Sequence, residues 1–225
     1  MPRKKLIRYQ QIKNFNLIFE YIPGKENAVS DWKSFFNNDH PIEIELGCGN
    51  GDFCVEYALK NPDINIIGVD IKGHRLWQAA QKAIHLNLKN IAFIRTQIQF
   101  VEHFFKKNCI PTLWMFFPDP QLGRKETTRI THQKYLKKYS NFLSSDNLIH
   151  FKTDSDVLYQ FTLHTIQNLQ LPIIFKTTDL LNEINVPHQA IFTETKFGNL
   201  NISGSNTIFY IAFKLEHSRV KEGWH

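Results

Sequence analysis

The feature that most constrains the fold of this chain is a regular alternation between short apolar runs and segments of helical periodicity. Residues 42–46 form an apolar-rich run that ends at Gly47, and residues 52–60 then place apolar side chains at helical spacing. Further strands are predicted at residues 64–69, 91–94, 112–117, 148–152, 173–176 and 207–215, and further helices at residues 75–88, 100–105, 131–143 and 157–169. An α/β fold with a mostly parallel, doubly wound sheet is therefore expected.

The chain shows no internal repeat and no low-complexity linker, which favours one main domain. We place this domain at residues 41–217, after a basic arm at residues 1–40 and before a short tail at residues 218–225. Within the arm, the apolar residues at positions 15–21 are spaced for one short element, which Pro23 and Gly24 would end.

Positive charge is concentrated in two segments. The first thirteen residues hold five Lys or Arg and no acid, and residues 119–139 hold six Lys or Arg against two acids. The net charge of +6 is therefore local rather than spread over the molecule. Two basic segments on a nearly neutral body suggest a polyanionic partner, although basic termini and helix faces also serve solubility alone.

Several classes of protein are disfavoured by the sequence. Apolar runs such as residues 113–117 are far shorter than the roughly 20 residues of a membrane-spanning helix. The basic N-terminus is not followed by an apolar core or a cleavage site, so we expect no secretory signal and a cytoplasmic location. Cys48, Cys54 and Cys109 form no Cys-x-x-Cys pair and are expected to be buried thiols, and no metal site is expected. Trp77 and Trp114 are expected in the core.

A glycine-rich loop follows the first of these strands, with Gly47, Gly49 and Gly51 after Glu45. Glycine permits positive φ and lets a ligand approach the backbone, although glycines also serve as plain turn residues. A dinucleotide fingerprint would read G-x-G-x-x-G, but residue 52 is Asp, whose carboxylate would face a pyrophosphate. Acids around the loop suit a cationic ligand without phosphate, and S-adenosylmethionine fits this description. Asp70 ends the next strand and is placed to accept both ribose hydroxyls.

Four segments of the chain together resemble one enzyme family. They are Glu45-Leu-Gly-Cys-Gly-Asn-Gly51, Ile67-Gly-Val-Asp-Ile-Lys72, Phe117-Pro-Asp-Pro120 and Phe151-Lys-Thr-Asp154. Through these segments the chain resembles the bacterial tRNA (guanine-N7-)-methyltransferases, which modify the variable-loop guanine at position 46 of tRNA. The resemblance extends over most of the chain. Phe-Pro-Asp-Pro is the specific element, because many methyltransferases share the glycine loop. The resemblance implies a Rossmann-like class I S-adenosylmethionine-dependent methyltransferase fold with an antiparallel last strand, S-adenosylmethionine as methyl donor and tRNA as partner.

The resemblance also implies roles for individual residues. The donor-binding set comprises Glu45, Gly47, Gly49, Gly51, Asp70, Gln97 and Asp119. Asp119 is in addition the predicted catalytic residue, nearest to the chemistry. The resemblance places Asp154 and Thr195 at the target nucleotide. The basic segment adds Arg124 and Lys125 as predicted contacts to tRNA, and Phe197 is a candidate stacking surface for a base. Because guanine N7 carries no proton, Asp119 is expected to orient the guanine or offset developing charge rather than to act as a base.

The chain departs from the family pattern in two places. The family has a Lys shortly after the second proline, where this chain has Gly123 or, with a one-residue gap, Arg124. The family pattern Thr-x-Tyr/Phe-Glu ends here in Gly198, and Glu194 is a candidate replacement for the missing acid. The alternatives are a methyltransferase of the same fold acting on another RNA or a small molecule, and an RNA-binding protein without activity. A monomer or a homodimer is expected.

Overall fold

A computed structural model describes residues 7–8, 10–21, 31–184, 186 and 207–222. The chain divides into two compact units, residues 1–106 and residues 107–225. Each unit combines strands with helices.

The described residues of the first unit form four parallel strands in the order β1-β4-β3-β2. Its strands are β1 (Ile18–Glu20), β2 (Ile42–Leu46), β3 (Asn65–Asp70) and β4 (Ile91–Arg95). Its helices are α1 (Trp32–Phe36), α2 (Asp52–Lys60) and α3 (Gly73–His85), with 3₁₀ turns at Ile12–Asn14 and Ile98–Phe104. In the register of the sheet, Glu45 lies beside Gly68 and Asp70 lies beside Arg95. The carboxyl ends of β2, β3 and β4 therefore meet at one edge.

The core of the first unit consists of apolar side chains from its strands and helices. Ile44, Ile66, Ile67 and Phe93 are fully buried on the strands, and α3 turns a stripe of small residues inward. Because these side chains are small, α3 approaches the sheet closely. A Cβ on Gly68 would lie 2.9 Å from Phe93 Cδ1, which leaves no room for a side chain there.

Part of the predicted arm belongs to this sheet. Residues 18–20 pair in parallel with residues 93–95 as its edge strand. Trp32 is buried, and its indole Nε1–H donates to the carbonyl of Phe104 at 2.8 Å. Before β1, the guanidinium of Arg8 lies 4.8 Å from the ring centroid of Trp77. The domain boundaries at residues 40 and 217 stay a prediction, but the segment before residue 41 contributes core and sheet.

In the second unit, the part of the chain that the structure describes forms four strands in the order β5-β6-β8-β7. They are β5 (Ile110–Phe116), β6 (Leu143–Thr153), β7 (Ile173–Thr177) and β8 (Phe209–Phe213). Strands β5 and β6 are parallel, whereas β8 runs antiparallel to both of its neighbours. The helices are α4 (Gln133–Tyr139), α5 (Asp156–Asn168) and α6 (His217–Glu222), with a 3₁₀ turn at Glu126–Thr128. The α/β fold with a mostly parallel sheet and an antiparallel last strand is confirmed.

Three local predictions are corrected. The segment at 100–105 is a 3₁₀ turn that begins at residue 98 rather than an α-helix. Helix α4 is capped by His132, whose Nδ1 accepts from the Lys134 N–H at 3.2 Å, and Thr131 instead shares a hydrogen bond with Thr162. Trp114 is buried as expected, but Trp77 is half-buried on the surface of α3.

Candidate active site

The loop between β2 and α2, residues 47–51, is termed the donor loop. Its three glycines have φ of +80°, +56° and +68°, the left-handed region that costs other residues energy. The N–H groups of Gly47 and Cys48 both donate to the carbonyl of Val69, at 2.8 and 3.0 Å. At Gly51 space is also missing, because a Cβ would lie 2.6 Å from the Cβ of Ala79. Glycine is thus required here by backbone conformation and by the close approach of α3.

Asp70 ends β3 beside the donor loop with both carboxylate oxygens oriented. Its Oδ2 accepts from the Gly49 N–H at 3.0 Å, and its Oδ1 accepts from the Lys72 N–H at 2.6 Å. The side chain is half-buried. Each carboxylate oxygen can accept more than one hydrogen bond, so both retain capacity for a ligand. This arrangement suits a pair of neighbouring hydroxyl donors, as on a ribose.

Glu45 lies in β2 under the donor loop and is only 4% exposed. The thiol of Cys54 donates to its Oε2 at 2.8 Å. Burial raises the pKa of Glu45 to about 8, and the carboxylates of Asp70 and Asp52 act in the same direction. The acid is therefore mostly protonated at neutral pH in the protein alone. A cation bound beside it would favour the ionised form.

The cysteines partly follow expectation. Cys48 and Cys54 are buried, and burial raises the pKa of Cys48 to about 11 and that of Cys54 well above its usual value. Both are therefore thiols rather than reactive thiolates. The expectation of a buried thiol is wrong for Cys109, which is exposed one residue before β5.

Asp52 is the first residue of α2, where the sequence predicted that its carboxylate would disfavour a bound pyrophosphate. This carboxylate is ion-paired with the ammonium of Lys82, which also donates to the carbonyl of Asn50 at 3.0 Å. Lys82 belongs to α3, so the pair ties the end of the donor loop to that helix.

Gln97 lies two residues beyond β4, and its side chain is exposed. The preceding residue, Thr96, donates its N–H to the carbonyl of Asp70 at 3.3 Å. Gln97 is thus at the same edge of the sheet as Asp70 and the donor loop. Of the six predicted donor-binding residues in the first unit, Gly47, Gly49 and Gly51 belong to the loop and Glu45 and Asp70 lie at strand ends beside it. Gln97 follows the next strand at the same edge of the sheet.

In the second unit, residues 117–121 form a turn after β5, termed the Asp119 turn. Phe117 has φ of +48° although it precedes a proline, and Gln121 has φ of +55°. The N–H of Phe117 donates to the carbonyl of Lys152 at 2.8 Å, and Asp119 Oδ1 accepts from the Gln121 N–H at 2.9 Å. Residues other than glycine are held in such a conformation only by their surroundings. Two prolines and these bonds therefore present the exposed Asp119 in a fixed direction.

The basic residues after the Asp119 turn fall into two groups. Arg124 and Lys125 are exposed. Arg129 is buried, its Nη1 pairs with Glu126 at 2.8 Å, and its guanidinium lies 4.6 Å from the ring centroid of Phe161. Arg124 and Lys125 are therefore accessible to a partner, whereas Arg129 anchors the segment to α5.

Lys152, near the end of β6, was not among the site residues predicted from the sequence. It is only 2% exposed. Its ammonium lies 4.7 Å from the ring centroid of Phe116, and burial lowers its pKa to about 7. The sequence signal for this buried lysine was its position at the end of an apolar strand run.

Asp154, one of the predicted tRNA contacts, follows Lys152 by two residues and is half-buried. Thr195 and Phe197, with Glu194 and Gly198, lie outside the described residues.

The described residues contain no group of three or more His, Cys, Asp or Glu arranged to hold a metal ion. Likewise, none of their helices is both long and apolar enough to cross a membrane.

Comparison with known proteins gives consistent matches. A family model described as "Putative methyltransferase" matches residues 39–211. A relative from Christiangramia forsetii, named tRNA (guanine-N(7)-)-methyltransferase, is 37% identical over 223 residues, which cover 95% of this chain and 99% of the relative. A relative of the same name from Bacteroides thetaiotaomicron is 35% identical and covers 98% of this chain and 89% of its own length.

Solved structures support the fold. The crystal structure of a SAM-dependent methyltransferase from Aquifex aeolicus matches with a TM-score of 0.56 at 10% identity. The match covers 92% of this chain and 98% of that one. At this identity the likeness concerns the fold alone, and it confirms the expected Rossmann-like class I architecture.

Proposed function

The chain belongs to the family of tRNA (guanine-N(7)-)-methyltransferases, and we propose that it transfers the methyl group of S-adenosylmethionine to N7 of guanine 46 in the variable loop of tRNA. The observation that carries the proposal is the donor loop with its two acids. Asp70 is oriented by two backbone N–H groups, and Glu45 is buried beneath the loop. These groups match the ribose diol and the ammonium of this donor.

S-adenosylmethionine supplies an electrophilic methyl group on a sulfonium. We assign Asp70 to the ribose hydroxyls, Glu45 to the ammonium and Gln97 to the adenine edge, with Gly47, Gly49 and Gly51 giving backbone access. An ammonium beside Glu45 offsets the burial of its negative charge and lowers its pKa from about 8. The donor would therefore bind with release of a proton near neutral pH.

Asp119 is assigned to the acceptor guanine. Guanine N7 carries an in-plane lone pair and no proton, so the reaction needs no general base. A carboxylate can accept hydrogen bonds from the guanine N1–H and N2–H₂ groups, and it offsets the positive charge that develops on the ring. Because the Asp119 turn is held by backbone bonds and prolines, this carboxylate is aimed before the substrate arrives. Alignment of N7 with the methyl group would supply most of the acceleration.

Arg124 and Lys125 are assigned to phosphates of the tRNA because they are exposed and lack acidic partners within the part of the chain that the structure describes. Asp154, Thr195 and Phe197 are assigned to the target nucleotide, with Phe197 as a stacking surface for the base. We place the reaction in the cytoplasm, where tRNA is found.

Methyl transfer to tRNA transcripts tests this function. The purified chain is incubated with S-adenosylmethionine and either an ordinary transcript or one with 7-deazaguanine at position 46. We expect 7-methylguanosine in nucleoside digests of the first transcript alone, because the deaza base has no N7 lone pair. A methylated deaza transcript would refute N7 of this guanine as the acceptor. Binding of tRNA without any methylation would support the RNA-binding alternative instead.

A further inference from the structure

Arg75 lies in the first turn of α3, at the end of the segment Asp70-Ile-Lys-Gly-His-Arg75. Its Nη1 is 3.8 Å from the position that a Cβ would take on Gly49. This distance is an ordinary van der Waals contact. A ligand lying on the donor loop at Gly49 would therefore meet the guanidinium.

Within the described part of the chain, the guanidinium of Arg75 makes no hydrogen bond and no ion pair. Its neighbours behave differently, since Lys82 is paired with Asp52 and Arg95 is paired with Glu20. The first turn of α3 contains no acidic residue that would neutralise Arg75. A half-buried guanidinium has five N–H donors and gains from an acceptor. An anionic ligand group would provide one.

The donor carries one anionic group, the carboxylate of its methionine part. The proposed contacts to the donor involve its ammonium, ribose and adenine, and none of them involves this carboxylate. Guanidinium and carboxylate form paired, charge-assisted hydrogen bonds in a fixed geometry. Glu45, Asp52 and Asp70 at the loop are acids, and Lys82, the cation that contacts Asn50, is already paired with Asp52.

We propose that Arg75 binds the carboxylate of S-adenosylmethionine and so fixes the methionine end of the donor on the loop at Gly49. This inference rests on the proposed function, because it names a further contact to the same donor. Arg75 would make the site selective for the complete amino-acid group.

Calorimetry with three ligands tests the proposal: S-adenosylmethionine, its decarboxylated form and 5′-methylthioadenosine. The wild-type protein is compared with Arg75→Ala, with Arg75→Lys, and with Lys89→Ala as a control. Lys89 is an exposed cation beyond the opposite end of α3, so its removal changes the charge of the unit but not the loop. A melting curve of each variant checks that it is folded.

We expect Arg75→Ala to weaken S-adenosylmethionine by about tenfold to a hundredfold, since a charge-assisted pair is removed. The two ligands without a carboxylate should change by less than about twofold. Arg75→Lys should fall between wild type and Arg75→Ala, because an ammonium keeps the charge but not the paired geometry. Lys89→Ala should resemble wild type with all three ligands.

Equal weakening of all three ligands would overturn the proposal, because Arg75 would then act on the adenosine part or through Asp70. Unchanged affinity in Arg75→Ala would overturn it as well. If wild type binds S-adenosylmethionine and only the Arg75 result fails, the proposed function is unaffected. If wild type does not bind S-adenosylmethionine, the proposed function and this inference fall together.

Discussion

The donor loop and the Asp119 turn both follow a buried strand, but they are made rigid in different ways. At the donor loop, three glycines adopt positive φ, α3 packs closely against Gly51, and the acids Glu45 and Asp70 already have hydrogen-bond donors. At the Asp119 turn, Phe117 adopts positive φ without being glycine, and prolines hold the segment. The first region depends on close packing, the second on local backbone restraint.

This difference matches the ligands that we assign. A small donor can be held by a short loop with oriented carboxylates beside it, one end of which packs against α3 at Gly51. A tRNA surface is large, and its proposed partners Arg124 and Lys125 are exposed side chains beyond the rigid turn. Changes at the donor loop should therefore affect stability and donor affinity, whereas changes in and after the Asp119 turn should affect turnover and tRNA binding.

The largest expected effect comes from filling the space at Gly51. Gly51→Ala adds a Cβ that would lie 2.6 Å from Ala79 Cβ, at φ of +68°. Backbone strain of about 1–2 kcal/mol and overpacking of about 1–3 kcal/mol should both destabilise the fold. Gly123→Ala is the matched control, because Gly123 has φ of +75° with nothing within 4 Å. Urea denaturation should show the larger destabilisation at Gly51, and equal effects would mean that α3 packing is unimportant there.

The next effect concerns turnover. Asp119→Asn keeps the shape of the turn but removes the charge and one acceptor oxygen. We expect the rate constant of methyl transfer, measured in single-turnover experiments, to fall by about a hundredfold or more, as for other preorganised electrostatic groups. Donor affinity should change much less, and the remaining rate should not follow the titration of a base near neutral pH.

Asp146→Asn is a suitable control, since Asp146 is an exposed acid of the same unit, in the first half of β6. Turnover of the Asp119 variant close to that of this control would remove Asp119 from the catalytic role.

The strands and helices near the donor loop were predictable because their apolar pattern is strong and local. Strand β2 and helix α2 have the bounds that the sequence suggested, residues 42–46 and 52–60. A short element was expected at residues 15–21, but not that it is a strand of the sheet, because three residues have no period and their pairing with β4 joins segments about 75 residues apart. The cap of α4 was assigned to Thr131, although His132 provides it, since neighbouring polar residues compete for a cap and the sequence does not rank them.

The candidate site shows the same limit. Acids at strand ends, such as Asp70, could be found from the sequence because parallel strands deliver their carboxyl ends to one edge. The thiol of Cys54 on Glu45 and the guanidinium of Arg75 at Gly49 could not, since both depend on how a helix packs over the loop. Burial of Lys152 likewise depends on neighbouring strands, not on its own segment.

Donor affinity gives the third prediction. Asp70→Ala removes the proposed acceptor of the ribose hydroxyls and frees the N–H groups of Gly49 and Lys72. S-adenosylmethionine should bind about tenfold to a hundredfold more weakly in calorimetry, since each charge-assisted hydrogen bond contributes about 1.5–3 kcal/mol. Asp63→Ala, an exposed acid before β3, should bind the donor normally. Unchanged affinity in the Asp70 variant would exclude this residue from the site.

The fourth prediction uses the buried acid of the donor loop. The pKa of Glu45 is raised by burial to about 8 from about 4.5, so the folded state binds more protons than the unfolded state between these values. In the protein without ligand, the contribution of Glu45 to the free energy of unfolding is therefore fully present below about pH 4.5. This contribution is lost as the pH rises through about 8. The slope is at most about 1.4 kcal/mol per pH unit.

His150 and Lys152 have lowered pKa values, so their contributions to stability rise with pH and oppose that of Glu45. The difference between wild type and Glu45→Gln isolates the single group. We expect the free energy of unfolding of wild type to fall relative to the variant between pH 5 and pH 8 in urea titrations. A constant difference over this range would mean that Glu45 ionises normally and is not buried as described.

The smallest effect is expected from the exposed cations after the Asp119 turn. Arg124→Ala with Lys125→Ala should weaken tRNA binding and reduce the slope of log K against log salt concentration by about 0.7–0.9 for each phosphate that is no longer neutralised. Donor affinity should stay unchanged, because both side chains are exposed outside the donor loop.

The control is the double variant Lys107→Ala with Lys214→Ala, which makes the same change in charge. These residues lie before β5 and after β8, at the edge of the second unit opposite to Asp119. Filter binding at several salt concentrations should separate the two pairs. Equal slopes in the two double variants would show that Arg124 and Lys125 act only through net charge, whereas a flatter slope in the first pair alone would identify direct binding to phosphates.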